Sequence, residues 1–238
     1  KIILMAKLDI IIPVYNEDKD IVELLKTLDK EVKCKFRVLI CYDSDNDKTL
    51  SHLKNKIIDK EITLVKNPKI GPNSAIIEGI KVSTAEIILI YMADDFENIK
   101  IINKMVSLVE AGYDLVIPSR FISGGNMIGA KKIKKLITVT GSYLIYYLAG
   151  IPFKDCTNAF KMFSSNLKNK ISFESTVGFT FALELTSKSF LLKQKIIEIP
   201  SVWVEKKGRK SNFKIYKWLP NYIYWLLFSF LKNFFKKK

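Results

Sequence analysis

The sequence predicts an α/β fold, a mostly parallel sheet with helices on both faces. Three observations lead there. Short β-branched runs alternate with stretches of helical spacing through the first half of the chain. The 238 residues suffice for one such domain with a proper core and are too few for two. A hydrophobic fraction of 48%, with 12% aromatic, excludes a disordered chain and points to apolar surface beyond the core.

The strands are expected at residues 8–14, 36–42, 62–66, 86–91 and 114–118. After the first, Ile21, Leu24, Leu25 and Leu28 recur at three- and four-residue steps, and Asp18 or Asp20 is placed to cap that helix. Further helices are predicted over 73–83 and 99–111. After residue 118 the rhythm changes to a Gly-rich loop at 123–129, a basic run at 131–135 and an uncharged stretch at 136–151. A spanning helix needs about 20 apolar residues. This stretch is shorter and contains Thr138, Thr140, Gly141 and Ser142, so it reads as a buried or interfacial helix.

The chain divides into a domain at 1–217 and an aromatic, basic tail at 218–238, which Pro220 and Asn221 interrupt. Residues 193–238 carry twelve Lys or Arg against two Glu. Aromatic and basic residues interleaved over a helix length suit an anionic bilayer surface. The alternative is a packed C-terminal helix with a solvated lysine end. The net charge of +15 calls for an anionic partner of some kind. Single-stranded RNA would fit the tail, but there is no RNP-type strand motif, so no nucleic acid is expected.

Cys34, Cys41 and Cys156 are too few and too scattered for a disulfide framework or a zinc site. His52 is the only histidine, which excludes His-based triads and His-rich metal centres. Residues 1–7 do not read as a secretory leader, and Met5 reads as a candidate start.

Chemistry gathers after the strands, where sheets of this class bind ligands. Pro13 ends the first strand and leaves Tyr15 and Glu17 at the sheet edge, either to hold a nucleobase or ribose or simply to start a helix. The second strand delivers Asp43, Asp45 and Asp47. Asp47 suits an N-cap, and Asp43 is the ligand candidate. The fourth strand delivers Asp94, Asp95 and Glu97. Adjacent carboxylates repel unless a cation sits between them, and Mg2+ or Mn2+ shared with a diphosphate is the natural occupant. The bland alternative is a solvated loop. Of the 39 Lys and Arg, only Arg37, Arg120 and Arg209 are arginine; Arg120 and Arg209, the latter beside Ser211, suit bidentate phosphate contact.

Taken in order, the segments 11–17, 42–49, 67–79, 92–97, 119–125, 155–161, 178–184 and 208–213 resemble the family 2 glycosyltransferases, within them the dolichol-phosphate mannose synthase-like branch. The resemblance implies a GT-A fold (Rossmann-like), a nucleotide-sugar donor, a divalent metal and inversion at the anomeric carbon. It assigns Pro13, Tyr15, Glu17, Asp43 and Asp94 to the donor, and Asp94 with Asp95, Glu97 standing by, to the metal. Asp94, Asp95 and Arg120 are the expected catalytic set. Arg120, Asp155, Asn158, Lys161, Arg209 and Ser211 fall on the phosphate and acceptor side. The sequence departs from the branch at Met92, where an Asp is usual, at Phe96, where a Gln is usual, and at Lys161, where an Arg is usual.

The acceptor this implies is a polyprenyl phosphate at the cytoplasmic face of a membrane. Its oxygen is already ionised near neutral pH, and the sequence offers a hydroxyl acceptor only Asp155 and Glu184 as bases. A saccharide hydroxyl acceptor and a non-catalytic binding protein are the alternatives. The donor's base and sugar and the oligomeric state are not legible.

Overall fold

The computed structural model describes residues 6–17, 19–54, 61–130, 132–205 and 215–236. In chain order the elements begin β1 (Leu8–Pro13), α1 (Asp20–Glu31), β2 (Phe36–Tyr42), α2 (Lys48–Lys54), β3 (Ile62–Lys66), α3 (Pro72–Val82) and β4 (Ile87–Ile90). A 3-10 turn, Ile99–Ile101, leads into α4 (Ile102–Glu110), followed by β5 (Leu115–Ser119), β6 (Asn126–Ile128) and α5 (Lys132–Leu148). The chain then forms β7 (Lys161–Ser164), α6 (Ser165–Lys170), α7 (Phe181–Leu191), β8 (Ile196–Pro200), β9 (Val202–Val204) and α8 (Ile215–Lys236).

Seven strands form the main sheet in the order β3-β2-β1-β4-β7-β5-β8. Every neighbouring pair is parallel except those involving β7, which runs antiparallel to both β4 and β5. All five expected strands form, with ends shifted by a residue or two. Buried on both faces, β1, β2, β4 and β5 read as nearly continuous apolar runs, the pattern of a covered parallel sheet, whereas the edge strand β3 leaves Leu64 48% exposed.

Side chains alternate between two cores. Leu8, Ile10 and Ile12 of β1 pack with α1 and α4, whereas Ile11 faces the side of α3 and α7. On that second side Gly79 brings α3 close to the sheet: a Cβ there would stand 2.6 Å from Ile11 Cγ2 and 2.8 Å from Cys41 Sγ. A third cluster, with Ile145, Ile151, Leu183 and Trp225, joins α5, α7 and α8.

Several expectations change. Lys19, not an acid, stands at the N-cap of α1 and makes no side-chain cap; Asp20 falls in the first turn, and Asp18 lies outside the described residues. The uncharged stretch belongs to α5, which starts inside the basic run. The tail forms one helix, which continues through Pro220. Pro220 removes a single early backbone bond, while tertiary packing, with Trp225 only 1% exposed, holds the rest of the helix. Trp218 packs over Gly178 (φ 58°), where a Cβ would lie 2.4 Å from the indole, so the start of α8 is seated on the domain.

Replacing Gly79 by Ala should lower stability by roughly 1–3 kcal/mol through overpacking. Urea denaturation of the two proteins, compared at constant m-value, measures it.

Candidate active site

The antiparallel β7 places its first residue, Lys161, opposite Ile90 at the carboxyl end of β4. The loop before β7 therefore shares one sheet edge with the loops after β1 to β5. All the described site candidates fall along that edge.

Pro13 closes β1, and Val14 N still donates to the Cys41 carbonyl at 2.9 Å. The chain then turns through Asn16 in a left-handed conformation (φ 52°), which Asn tolerates better than most residues. Side chains from the next loop clamp this turn. The two Asp47 oxygens accept from Asn16 N at 3.0 and 3.1 Å, and Asp47 Oδ1 also accepts from Thr49 N at 2.9 Å. Thr49 Oγ1 accepts from Glu17 N at 2.9 Å, and Asn16 Oδ1 accepts from Lys48 N at 3.1 Å. Asp47 thus caps α2 and also fixes the β1 turn, leaving Tyr15 60% exposed between Pro13 and Glu17.

Asp43 is committed to the β3–α3 loop. Its Oδ1 accepts from Asn67 Nδ2 at 2.6 Å, and its Oδ2 accepts from Gly71 N at 2.9 Å, at the start of α3. The carboxylate lies at the strand tip, where a ligand's donors would meet it, with its orientation already set.

Beyond β4 the carboxylates separate by role. Asp94 and Glu97 are exposed on the loop. Asp95 turns inward, where Asn98 N donates to Oδ1 at 3.1 Å and Asn98 Nδ2 reaches Oδ2 at 2.8 Å. Burial pushes the Asp95 carboxyl up to about 6, against the opposing pull of those hydrogen bonds. Among the described residues no three His, Cys, Asp or Glu side chains converge as a metal cage. A divalent ion completed by diphosphate oxygens needs only one or two protein carboxylates, and Asp94 and Glu97 are the exposed ones on this loop. Met92, Asp94, Phe96, Asn158, Phe160 and Trp203 line a small open cleft beside this loop.

On the other side Arg120 and Asp155 form a fork. Arg120 Nε and Nη2 donate to Asp155 Oδ2 and Oδ1, each at 2.7 Å, and Arg120 N donates to Oδ2 at 2.9 Å. Asp155 is fully buried. Burial opposes the Arg120 charge, but Asp155 more than compensates and holds the guanidinium above its ordinary value. Asn158 Nδ2 donates to the Pro118 carbonyl at 2.8 Å. Lys161 is completely buried, with Nζ 3.4 Å from the Asp155 carbonyl. Desolvation pulls it down to about 8, although Cys156, Asp155 and Glu198 favour its charge.

Glu184 serves the framework: its oxygens accept from Glu174 N at 2.6 Å, Ser175 N at 2.8 Å and Lys188 Nζ at 2.8 Å. Arg37 is likewise structural, paired with the buried Asp9 at 2.8 Å. Arg209 and Ser211 lie outside the described residues. The sequence alone gives Asn16, Thr49, Asn98 and Glu198 no role, and Asn67 enters only as part of the family resemblance. Their only local signal is a polar side chain beside a turn or strand, while each has a partner at least 24 positions away.

The model of the Glycosyl transferase family 2 matches residues 9–171, from β1 through α6. The chain belongs to this family. It is 24% identical to a dolichol-phosphate mannosyltransferase of Pyrococcus furiosus over 214 residues, 87% of this chain and 59% of the relative. It therefore spans less than two thirds of that relative's length. An undecaprenyl-phosphate mannosyltransferase of Micrococcus luteus is 25% identical over 85% of both chains. A polyprenol monophosphomannose synthase of Mycolicibacterium smegmatis is 21% identical over 88% of this chain and 85% of the relative. The fold is shared with glucosyl-3-phosphoglycerate synthase of Mycobacterium tuberculosis, solved with Mn2+, UDP and glucosyl-3-phosphoglycerate. That match has a TM-score of 0.70 at 12% identity and covers 94% of this chain and 80% of the other. The central sheet is thus that of a GT-A glycosyltransferase, and β1 to β4 of this family 2 member carry its donor-side candidates.

Lys161 yields a pH prediction. Its pKa of about 8 lies below the ordinary 10.5, so the unfolded chain binds more protons between those values. Its contribution to stability is therefore most favourable above pH 10.5 and is lost as pH falls through 8. The stability difference between the wild type and Lys161→Met, followed by denaturant melts across that window, should shift in the variant's favour as pH falls.

Proposed function

We propose that the chain transfers a sugar from a nucleotide-sugar donor to a polyprenyl phosphate at the cytoplasmic face of a membrane, with inversion at the anomeric carbon. Tyr15, with Pro13 and Glu17, flanks the nucleoside and Asp43 accepts from its base or ribose. Asp94, with Glu97 on the same loop, would hold Mg2+ or Mn2+ against the donor diphosphate, and the ion would neutralise the leaving group. The likeness to dolichol-phosphate and undecaprenyl-phosphate mannosyltransferases supports the acceptor class. The binding of Mn2+ and UDP by glucosyl-3-phosphoglycerate synthase, on the same fold, supports the metal.

One observation carries the acceptor reading. Both carboxylates that sequence reading offered as bases are committed elsewhere, Asp155 to Arg120 and Glu184 to Lys188 and two backbone amides. A hydroxyl acceptor needs a base in that region. A phosphate monoester, largely ionised with its second pKa near about 6, does not. In this reading Arg120 and Asn158 receive the acceptor phosphate; Lys161, buried behind them, does not touch it, and Arg209 and Ser211 stay assigned to phosphate by the family resemblance alone. Asp155 orients Arg120.

The membrane reading rests on α5 and α8. Ile133, Leu136 and Tyr147 of α5 are 74%, 66% and 71% exposed, and Tyr224, Leu227 and Phe235 of α8 are 51%, 51% and 66% exposed. Among the described residues no helix is long and apolar enough to cross a membrane. Helices apolar on an open face and flanked by lysines suit the headgroup layer of an anionic leaflet.

Incubation with labelled nucleotide sugars and an undecaprenyl phosphate should yield a metal-dependent, butanol-extractable product. Asp94→Ala should reduce its formation by about 100-fold or more. Nucleotide release only with saccharide acceptors would retain the glycosyltransferase and discard the lipid phosphate. No turnover despite nucleotide binding would favour the non-catalytic alternative. Sedimentation with phosphatidylglycerol vesicles should fall roughly tenfold in a Leu227→Glu, Phe235→Glu variant and change far less with phosphatidylcholine.

A further inference from the structure

The cleft beside Asp94 has walls from distant parts of the chain: the loop 92–98 on one side and β9 on the other. Asn98, only 5% exposed, joins them. Its amide behaves as a strand neighbour to Val202, with Nδ2 donating to the Val202 carbonyl at 2.7 Å and Oδ1 accepting from Val202 N at 3.1 Å. The same Nδ2 reaches Asp95 Oδ1 at 3.0 Å and Oδ2 at 2.8 Å, and Asn98 N donates to Asp95 Oδ1 at 3.1 Å. A side-chain amide has two hydrogens and one carbonyl. Here one hydrogen serves Val202, the other serves Asp95, and the carbonyl serves Val202 N.

The far wall is itself anchored. β9 pairs with β6, Trp203 opposite Met127. Ser201 N donates to the Ser119 carbonyl at the end of β5, and Asn126 N donates to the Ser201 carbonyl, both at 3.0 Å. The loop is held from its own side by the Tyr91 hydroxyl, which donates to the Asp95 carbonyl at 2.7 Å. Were Asp95 to turn toward a metal beside Asp94, Asn98 would lose the acceptor for both its backbone N–H and one amide hydrogen in a nearly closed site. A buried donor left unsatisfied is disfavoured.

We propose that Asp95 is a positioning residue and not a metal ligand: through Asn98 it rivets the loop that carries Asp94 to Val202 of β9, fixing the width of the cleft in which the donor's diphosphate and sugar lie. The content of that cleft rests on the glycosyltransferase reading above; the rivet itself does not. Holding a reacting group in place before the substrate arrives lowers the barrier to be crossed once it binds.

Two measurements on the full chain separate these points. The first is hydrogen exchange of the Val202 amide in the ligand-free protein. Asn98→Ala should speed it by about tenfold or more, and Asp95→Ala should speed it by a smaller factor. The second is titration of Mn2+ by electron paramagnetic resonance in the presence of GDP or UDP. Asp95→Asn, which keeps one acceptor oxygen for Asn98, should leave half-saturation within about twofold of wild type, whereas Asp94→Asn should weaken it by about tenfold or more. Unchanged Val202 exchange in Asn98→Ala would overturn the rivet. A loss of Mn2+ affinity in Asp95→Asn matching that of Asp94→Asn would make Asp95 a ligand and overturn the assignment. If Asn98→Ala does not fold, Asp95→Ala decides the exchange measurement in its place. Failure of wild-type protein to take up Mn2+ with either nucleotide would count against the glycosyltransferase reading, while the exchange result would still decide the rivet.

Discussion

Asp155 is completely buried, and what makes its burial tolerable is the planar fork of Arg120, which meets both carboxylate oxygens while the arginine's own backbone N–H meets one of them again. Removing one member of such a buried pair commonly destabilises a protein by about 3–5 kcal/mol, because the other is left without a partner. The pair also organises its surroundings. Glu198 of β8 accepts from the backbone amides of Lys154 and Asp155 at 2.9 and 3.0 Å, which fixes the loop that carries the carboxylate. Tyr222 of α8 lies close enough to feel the Arg120 charge, although burial is what pushes its phenol up to about 12. The ion pair, with Glu198 behind it, therefore ties together the end of β5, the loop before β7 and β8.

That pair can form only because β7 runs backwards. In an all-parallel sheet the segment before a strand lies at the opposite edge from the ligand-binding loops. Reversing β7 between β4 and β5 brings residues 155–160 to the working edge and sets Lys161 beside the end of β4. The two halves of the site are thus built differently. The donor half uses loops after consecutive parallel strands, joined by acid and amide side chains that satisfy backbone donors. The acceptor half uses one reversed strand and a buried charge network.

This difference governs what the sequence discloses. β1, β2 and β4 show as β-branched runs because the sheet is covered on both faces there, and Asp43, Asp47 and Asp94 stand out because acids cluster where such runs stop. β7 reads Lys-Met-Phe-Ser, opening with a lysine that would ordinarily mark solvent, and nothing in its local pattern betrays a central strand. β6 and β9 are three residues each, too short for any periodicity to register. Asn98 looks like a turn residue, and its decisive partner lies 104 positions away. Pro220 reads as a helix break because local propensity says so, and the packing of Trp218 and Trp225 outweighs it.

The thiols have a practical side. Cys41 is sealed under Gly79 and Cys156 is buried within the loop before β7; burial pushes both up to about 12. Half-buried Cys34 is also pushed up by burial. Reagents that alkylate or oxidise sulfur act on the accessible thiolate, and these three side chains present very little of it at neutral pH. A cysteine introduced on the open face of α5 or α8 would then be the first to react, so a fluorophore or spin label could be attached there without first stripping the native sulfurs from the chain.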